Sequence, residues 1–270
     1  MQFVIVLVLI AGIIATLAVD EFPGPLERCH FGNETCYVEQ AQNFFRAFKS
    51  GIPDRGVASL EPIDLGTLRV ESGGHSASLQ FNLLMTDAKL YNLANSVVVK
   101  SLKGFTKDFS KPLKLVLMLY MPDLEVRAKY DVNGKILILP IVSTGDIVIK
   151  LSQVQAKLRI VADPVKRGHG DGDGHTYLNI TDFKTVTKVK EGNFTLSNLF
   201  SDNRELREST LKVLNDEWDA LAADIQPKIN EACDRSFRAI LQHLWDNIPY
   251  EEFFDSESSI IHTGKKAMKS

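Results

Sequence analysis

Residues 204–249, RELRESTLKVLNDEWDALAADIQPKINEACDRSFRAILQHLWDNIP, decide the fold. Leu211, Leu214, Trp218, Leu221, Ile225, Ile229, Cys233, Phe237, Leu241, Leu244 and Ile248 recur at steps of three or four until Pro249. That spacing places them along one face of an α-helix. Unbroken, some 45 residues would form a rod of roughly 67 Å, longer than the ~45 Å width of a compact chain of this length. Either Pro227 breaks the helix or the protein is elongated. No second helical run of comparable length exists to cover the stripe, so its partner is a sheet.

The sheet is legible upstream, where residues 57–199 switch to period two. Val126, Ala128, Tyr130 and Val132 alternate with charged residues, and Val154, Ala156, Leu158 and Ile160 with Gln155, Lys157 and Arg159, so each run reads as a half-buried strand. Ala77, Leu79, Phe81 and Leu83 behave similarly, and residues 113–121 are apolar on both faces apart from Lys114. Asn133-Gly134 between two such patterns is a hairpin signal. Before the sheet, Val38, Ala41, Phe44, Phe45 and Phe48 predict one amphipathic helix over residues 34–49, stopped by Gly51 and Pro53. The class is α+β: a mostly antiparallel sheet of long strands laid along a long C-terminal helix.

Residues 1–18 carry no charge and end with Thr16 and Ala18, a pattern of a cleaved secretory leader; a retained membrane anchor is the alternative. No later stretch has the ~18 unbroken apolar residues of a spanning helix, so no stable membrane insertion is expected of the mature chain. Asn33, Asn179 and Asn193 head Asn-x-Ser/Thr sequons, which gain meaning on the secretory route. Net charge of −3 argues against nucleic acid as a partner. The mature domain is expected over residues 19–255, and the polar residues 256–270 read as a disordered tail. In an oxidising compartment Cys29 and Cys36 would close a short loop and leave Cys233 over, although three cysteines leave the pairing open. Cys233 itself reads as a small buried hydrophobe on the helix.

The segment that looks most chemical is GHGDGDGH, residues 168–175. A calcium loop opened by Asp171 fails, because Thr176 stands where the turn glycine belongs and Asp182 where a glutamate is needed. Its alternating glycines never match G-x-G-x-x-G, and a strand instead of a helix follows, which excludes a phosphate cradle. His169 and His175 with the aspartates are not preorganised for zinc, so no metal is assigned and the run reads as a hairpin tip. Gly74-His75-Ser76-Ala77-Ser78 begins like a hydrolase nucleophile elbow, but its fifth residue is serine and a strand follows. No catalytic residue and no cofactor is assigned; an esterase using Ser76 remains the enzymatic alternative.

Several segments in order resemble the insect takeout and juvenile-hormone-binding protein family. These are the leader, Cys29 and Cys36 ahead of the first helix, GIPDRGVASLEPIDLG at 51–66, GDGDGHTYLNI at 170–180, LSNLFSDNRELRESTLKVLNDEWDALAADIQPKI at 196–229, and IPYEEFF at 248–254. The Asn-Leu-Phe…Asn-x-x-Trp…Pro array is the most specific of them. The resemblance implies a tubular lipid-binding fold, with a highly curved antiparallel sheet wrapped around the long helix and an apolar tunnel between them. It implies a secreted carrier of a small hydrophobic ligand such as juvenile hormone, another terpenoid or a fatty lipid, with roles in circadian output, feeding or other behaviour. The family's high-affinity hormone carriers have a second disulfide that this chain lacks, which places it nearer the takeout branch. Candidate lining residues are Trp218, Leu221, Ile225, Phe237 and Leu241 from the helix and Leu117, Leu119, Tyr130 and Leu158 from the strands; for each, plain core is the competing reading, since pocket and core share composition. A signalling or interaction protein without a ligand is the non-enzymatic alternative.

Overall fold

The computed structural model describes residues 26–53, 56–72, 79–136, 139–168 and 174–255. The apolar leader, Ser76 with its surroundings, the centre of the glycine-rich run and the C-terminal tail lie outside the described residues.

Helix α1 (Glu34–Ala47) comes first, its N-terminus capped by Asn33, whose Oδ1 accepts from the Cys36 N–H at 3.1 Å. The Cys29–Cys36 disulfide closes the loop just before it, with the two Cα atoms 5.8 Å apart. Then follow β1 (Ile63–Glu71), β2 (Leu79–Tyr91), the single turn α2 (Leu93–Ser96), β3 (Val98–Lys103), β4 (Leu113–Ile136), β5 (Leu139–Arg167), β6 (His175–Lys188), β7 (Glu191–Leu196), α3 (Arg204–Asp216), α4 (Trp218–Asn247) and a short 3-10 turn at Tyr250–Phe253. The strands form one antiparallel sheet in the order β1-β2-β4-β5-β6, with β3 added beside β4 and β7 beside β5.

Strands β4 and β5 are the spine of that sheet, pairing from Leu113↔Ala162 to Ile136↔Leu139. Both change their inward-facing phase at the same level. Leu113, Leu115, Leu117, Leu119 and Met121 face inward in β4, then Leu124, Val126 and Ala128; in β5 the switch lies between Leu151 and Val154. Pro122, which has no N–H to offer a neighbour, and Gln153, at φ 51°, sit at the switch. There β4 changes partner from β3 to β2, and β5 from β6 to β7. Two half-sheets are thus joined through shared long strands, and a pair of sequence patterns out of phase becomes one strand with a bulge.

Helix α4 closes this sheet. It packs against both outermost strands, β6 and β1. Toward β6 it presents a polar residue every fourth position, and these side chains serve edge groups of the strand. Gln226 Nε2 donates to the Thr187 carbonyl at 2.7 Å, Asn230 Oδ1 accepts from the Thr187 hydroxyl at 2.9 Å, and Asp234 Oδ1 accepts from the Thr185 N–H at 2.8 Å. Arg238 Nη2 donates to the Ile180 carbonyl at 2.7 Å, and Gln242 both accepts from the Ile180 N–H at 2.7 Å and donates to the Leu178 carbonyl at 3.1 Å. Arg167 then reaches from β5 to the Asp246 carboxylate at 2.8 Å. On the β1 side the Ser236 hydroxyl donates to the Asp64 carbonyl at 2.6 Å. Between these two seams Leu221, Ile225, Cys233, Phe237 and Leu244 are buried against the concave face of the sheet.

Two expectations need correction. The long helix is interrupted at Glu217, not at Pro227, which lies inside α4. The reason is visible in Asn215 and Trp218. Asn215 accepts from the Phe194 N–H at 2.7 Å and donates to the Phe194 carbonyl at 3.1 Å, while the Trp218 ring stacks on Phe194 with centroids 5.3 Å apart. Grasping one strand residue from two sides turns the helix, and a Cβ at Gly192 would lie 2.0 Å from the indole. The remaining 30-residue helix spans about 45 Å. Secondly, Asn133-Gly134 is not a hairpin turn. It lies inside β4, paired with Asn82 and Phe81 on one side and Val142 and Ile141 on the other. Gly134 is needed because a Cβ there would sit 2.1 Å from the Gln80 carbonyl oxygen. The glycine-rich run does connect two paired strand ends, Arg167↔His175.

Cys233 is a free thiol in this packing, pushed up to about 12 by burial, with neighbouring Asp234 adding to the effect. Gln242→Leu keeps the bulk but strips both contacts from the β6 edge, and is expected to lower stability in urea denaturation by about 2–3 kcal/mol, whereas Lys228→Ala on the solvent face changes it by less than ~0.5 kcal/mol. The Cys233 thiol stays inert to an aromatic disulfide reagent at about pH 8 until the chain is denatured, and then titrates as a single thiol per chain. Because burial raises its folded value, the stability of wild type relative to the non-titrating Cys233→Ala is constant below the ordinary value of 9.0 and declines as pH rises toward about 12.

Candidate functional site

The inner face of the sheet and the apolar stripe of α4 do not meet everywhere. They leave three chambers in series along the helix. The first lies between the α3–α4 junction and the β4–β5 hairpin, among Leu83, Val132, Ile147, Leu196, Leu214 and Leu221. The second lies at mid-helix, and it shares Phe194 and Ile225 with the first. The third lies between α1, the end of α4 and the segment after it. Successive inward residues separate the second from the third: Leu119 and Leu158 line the middle chamber, while Leu117 and Ile160 line the third. No residue lines both, and Phe237 of the middle chamber is set edge-on to Phe45 of α1 at 6.5 Å between centroids.

The sequence candidates fall along this series. Trp218, Ile225, Phe237, Leu119 and Leu158 line the middle chamber, Leu221 the first, and Leu117 and Leu241 the third. Tyr130 lines none of the three. Its hydroxyl lies 2.8 Å from the Ser143 hydroxyl and donates to the Ser197 carbonyl at 2.6 Å, and burial raises its pKa. Alternation points the Tyr130 ring inward, but the polar tip found backbone and hydroxyl partners beside Gly145 instead of a cavity.

Several lining groups escape a search for apolar residues. Thr185 and Thr187 from β6, with Gln226 and Asn230 from α4, border the middle chamber, but their polar groups are turned to one another and to the strand edge, so the chamber surface itself is almost wholly apolar. Their signal in the sequence is the four-residue spacing of Gln226, Asn230, Asp234, Arg238, Gln242 and Asp246, which places a polar stripe beside the apolar one. Among the described residues lining that chamber there is no Lys, Arg, His, Asp or Glu.

An aromatic cluster walls the far end of the third chamber. Tyr37 lies 4.6 Å from Phe105 between centroids, Phe105 5.6 Å from Phe254, and Phe254 5.1 Å from Tyr250. The Tyr250 hydroxyl donates to the Thr106 carbonyl at 3.0 Å and accepts from its N–H at 3.2 Å, and burial pushes that phenol well above the ordinary range. The disulfide loop is tied to this cluster through backbone bonds from Cys29 to the Phe253 carbonyl and from Asp255 to the Cys29 carbonyl, both 3.1 Å. The closing IPYEEFF segment therefore serves as one wall. Asn33, Asn179 and Asn193 are all exposed. Among the described residues no group of three or more His, Cys, Asp or Glu could hold a metal ion, and no helix is long and apolar enough to cross a membrane.

Comparison with known proteins agrees with this architecture. The family model for haemolymph juvenile hormone binding protein matches residues 4–255. The chain is 70% identical over 236 residues to the circadian clock-controlled protein daywake of Drosophila yakuba, covering 87% of this chain and 89% of the relative. It is 66% identical over 240 residues to the daywake protein of Drosophila melanogaster, covering 89% and 91% respectively. Takeout 1 of Epiphyas postvittana, a solved structure, shares the fold with a TM-score of 0.73 over 86% of this chain and 100% of that one, at 23% identity. The curved sheet closed by one long helix and the match along almost the whole chain lead to one conclusion: this protein belongs to the haemolymph juvenile hormone binding protein family, a family of ligand-binding proteins.

Proposed function

We propose that this chain is a secreted carrier that holds one small hydrophobic molecule, a terpenoid such as juvenile hormone or a fatty lipid, in a tunnel formed by the chambers along α4. The series of apolar chambers carries this reading. A well-packed core leaves few voids larger than a water molecule, whereas these chambers run end to end beneath one helix. Burying an aliphatic chain there gains roughly 25 cal/mol per Å2 of apolar surface, enough for micromolar or tighter binding after the cost of immobilising the ligand. Trp218, Leu221, Ile225, Phe237, Leu241, Leu117, Leu119 and Leu158 would contact it.

Secretion is supported by the apolar leader, the disulfide and the exposure of Asn33, Asn179 and Asn193, the proposed glycan sites. The names of the two fly relatives support a place under circadian control, from which delivery of the ligand would affect feeding or other behaviour. A signalling protein would use its outer surface and leave the chambers without an extractable occupant.

Protein purified from insect cells is expected to release a lipid on organic extraction, detected by mass spectrometry, and to bind N-phenyl-1-naphthylamine saturably. Absence of both results would overturn the carrier reading. Ala156 lies on the wall of the middle chamber, 4% exposed. Ala156→Phe fills that space and is expected to weaken binding of the same probe by at least about tenfold, while the far-ultraviolet circular dichroism stays that of wild type.

A further inference from the structure

The outer face of the sheet is charged differently in its two halves. On the hairpin side of the phase switch, β4 and β5 set opposite charges against each other: Glu125 opposes Lys150, and Lys129 opposes Asp146, with which it forms an ion pair. On the other side the pattern is lost. Alternation with the buried residues turns Lys114 of β4, Lys157 and Arg159 of β5, and Lys184 and Lys188 of β6 outward, and Lys100 of β3 joins them over the Tyr120 ring at 5.4 Å. Among the described residues none of these six has a carboxylate within ion-pair distance. Lys103 beside them is taken by Glu34 at 3.0 Å, and Lys184 acts on Asp234 of α4 through space alone. Arg159 stands directly opposite Lys184, a like-charge pairing that costs stability. Apolar side chains lie between the cations: Val186, 54% exposed, and Met118 flank Lys157, while Val98, 39% exposed, opposes Tyr120.

We propose that this face docks the protein on an anionic lipid surface, with the cationic heads among the lipid headgroups and the valines at the boundary with the acyl chains. Charge complementarity gives the sign of the partner. The chain as a whole carries a net charge of −3, so the positive face is a local arrangement and not the overspill of a basic composition. The apolar residues give its class: a sulfated polysaccharide matches the cations but leaves Val98 and Val186 in water, whereas a lipid surface takes both, the lysine stems lying alongside them. Each cation held near such a surface strengthens binding about fivefold. Asp163 and Asp182 mark the border of the face, and the proposed glycan site Asn179 lies there too, opposite Asp163 and four positions along β5 from Arg159. Leu119 and Leu158 on the inner side of the same strands line the middle chamber, and Leu117 and Ile160 the third. Docking therefore brings these chambers within one sheet thickness of the lipid while no helix inserts. The docking face stands on charge and exposure, and the carrier reading on the chambers.

The test is co-sedimentation of the full mature chain with vesicles of phosphatidylcholine alone or with about 30 mol% phosphatidylserine. Wild type is expected to bind the anionic vesicles at least about twentyfold more tightly, an advantage that shrinks as salt is raised from about 50 to about 300 mM. Neutralising three cations of the face together, Lys157→Gln, Arg159→Gln and Lys184→Gln, lowers that affinity by at least about twentyfold. The same change in net charge on the other half of the sheet, Lys89→Gln, Lys129→Gln and Lys150→Gln, lowers it by less than about threefold. Val98→Ser with Val186→Ser weakens vesicle binding by about fivefold and leaves retention on heparin unchanged. Arg159→Gln alone, which relieves the like-charge pair, melts at or above the wild-type temperature. Equal binding of wild type to the two vesicles overturns the proposal whatever the variants do. So do equal losses in the two triple variants, or tight binding to heparin with the anionic vesicles ignored. Saturable binding of N-phenyl-1-naphthylamine stays that of wild type in the first triple variant, so failure of the docking face and failure of the carrier reading are read separately.

Discussion

A sheet with a long, strongly bent edge must do something with the N–H and C=O groups along that edge, and here the answer is α4. Each unpaired backbone group removed from water costs on the order of a hydrogen bond or more. The polar series from Gln226 to Gln242 meets β6 group by group, and Ser236 meets β1 on the opposite side. One helix therefore stands in for the missing strand that would close a barrel. The interaction is side chain to backbone, so the helix keeps a larger distance from the sheet than a strand would. Everything else about the molecule follows from that distance.

The hollow is the first consequence. An ordinary barrel of this few strands is filled by its own side chains. Here the wall formed by α4 brings aliphatic side chains at intervals of three and four residues, whereas the strands bring theirs at intervals of two, and the phase switch at Pro122 and Gln153 bends the sheet midway. Three chambers remain along the helix. The ends are set by different devices: Asn215 and Trp218 clasp Phe194 where α3 gives way to α4, and the Tyr37, Phe105, Tyr250 and Phe254 cluster, tied to the disulfide loop, walls the other. Two members of the polar stripe that seals the edge, Gln226 and Asn230, border the middle chamber, but their polar groups are spent on Thr187, so the cavity surface stays apolar on the β6 side too.

How a carrier of this kind discriminates among oily molecules is then a matter of very few atoms. Dispersion and water exclusion act on any chain that fits, and they scale with area, not identity. Discrimination comes from polar groups whose own requirements are left unmet until a ligand meets them. Cys233, on the wall of the middle chamber, is the opposite case: its thiol is buried, weakly polar and held neutral, so it contributes shape alone.

Period three-to-four in residues 204–249 and period two in residues 57–199 determined the class, the long helix and its pairing with a sheet, because burial on one face leaves a periodic mark whatever the partner. The inward direction of Leu158 was legible for the same reason; that of Leu117 and Leu119 was not, because residues 113–121 are apolar on both faces. Where the helix breaks was not: Glu217 yields because Asn215 and Trp218 grip Phe194, a residue more than twenty positions away in the chain. Asn133-Gly134 reads as a turn in isolation, yet strands on both sides claim its backbone and the glycine is needed for their close approach. Tyr130 alternates like its neighbours and still avoids the cavity, since its hydroxyl is satisfied by Ser143 and Ser197. Periodicity reports which face of an element is turned away from water. Whether that face meets another side chain, a backbone edge or empty space depends on the separation between α4 and the sheet, and only the tertiary structure decides that.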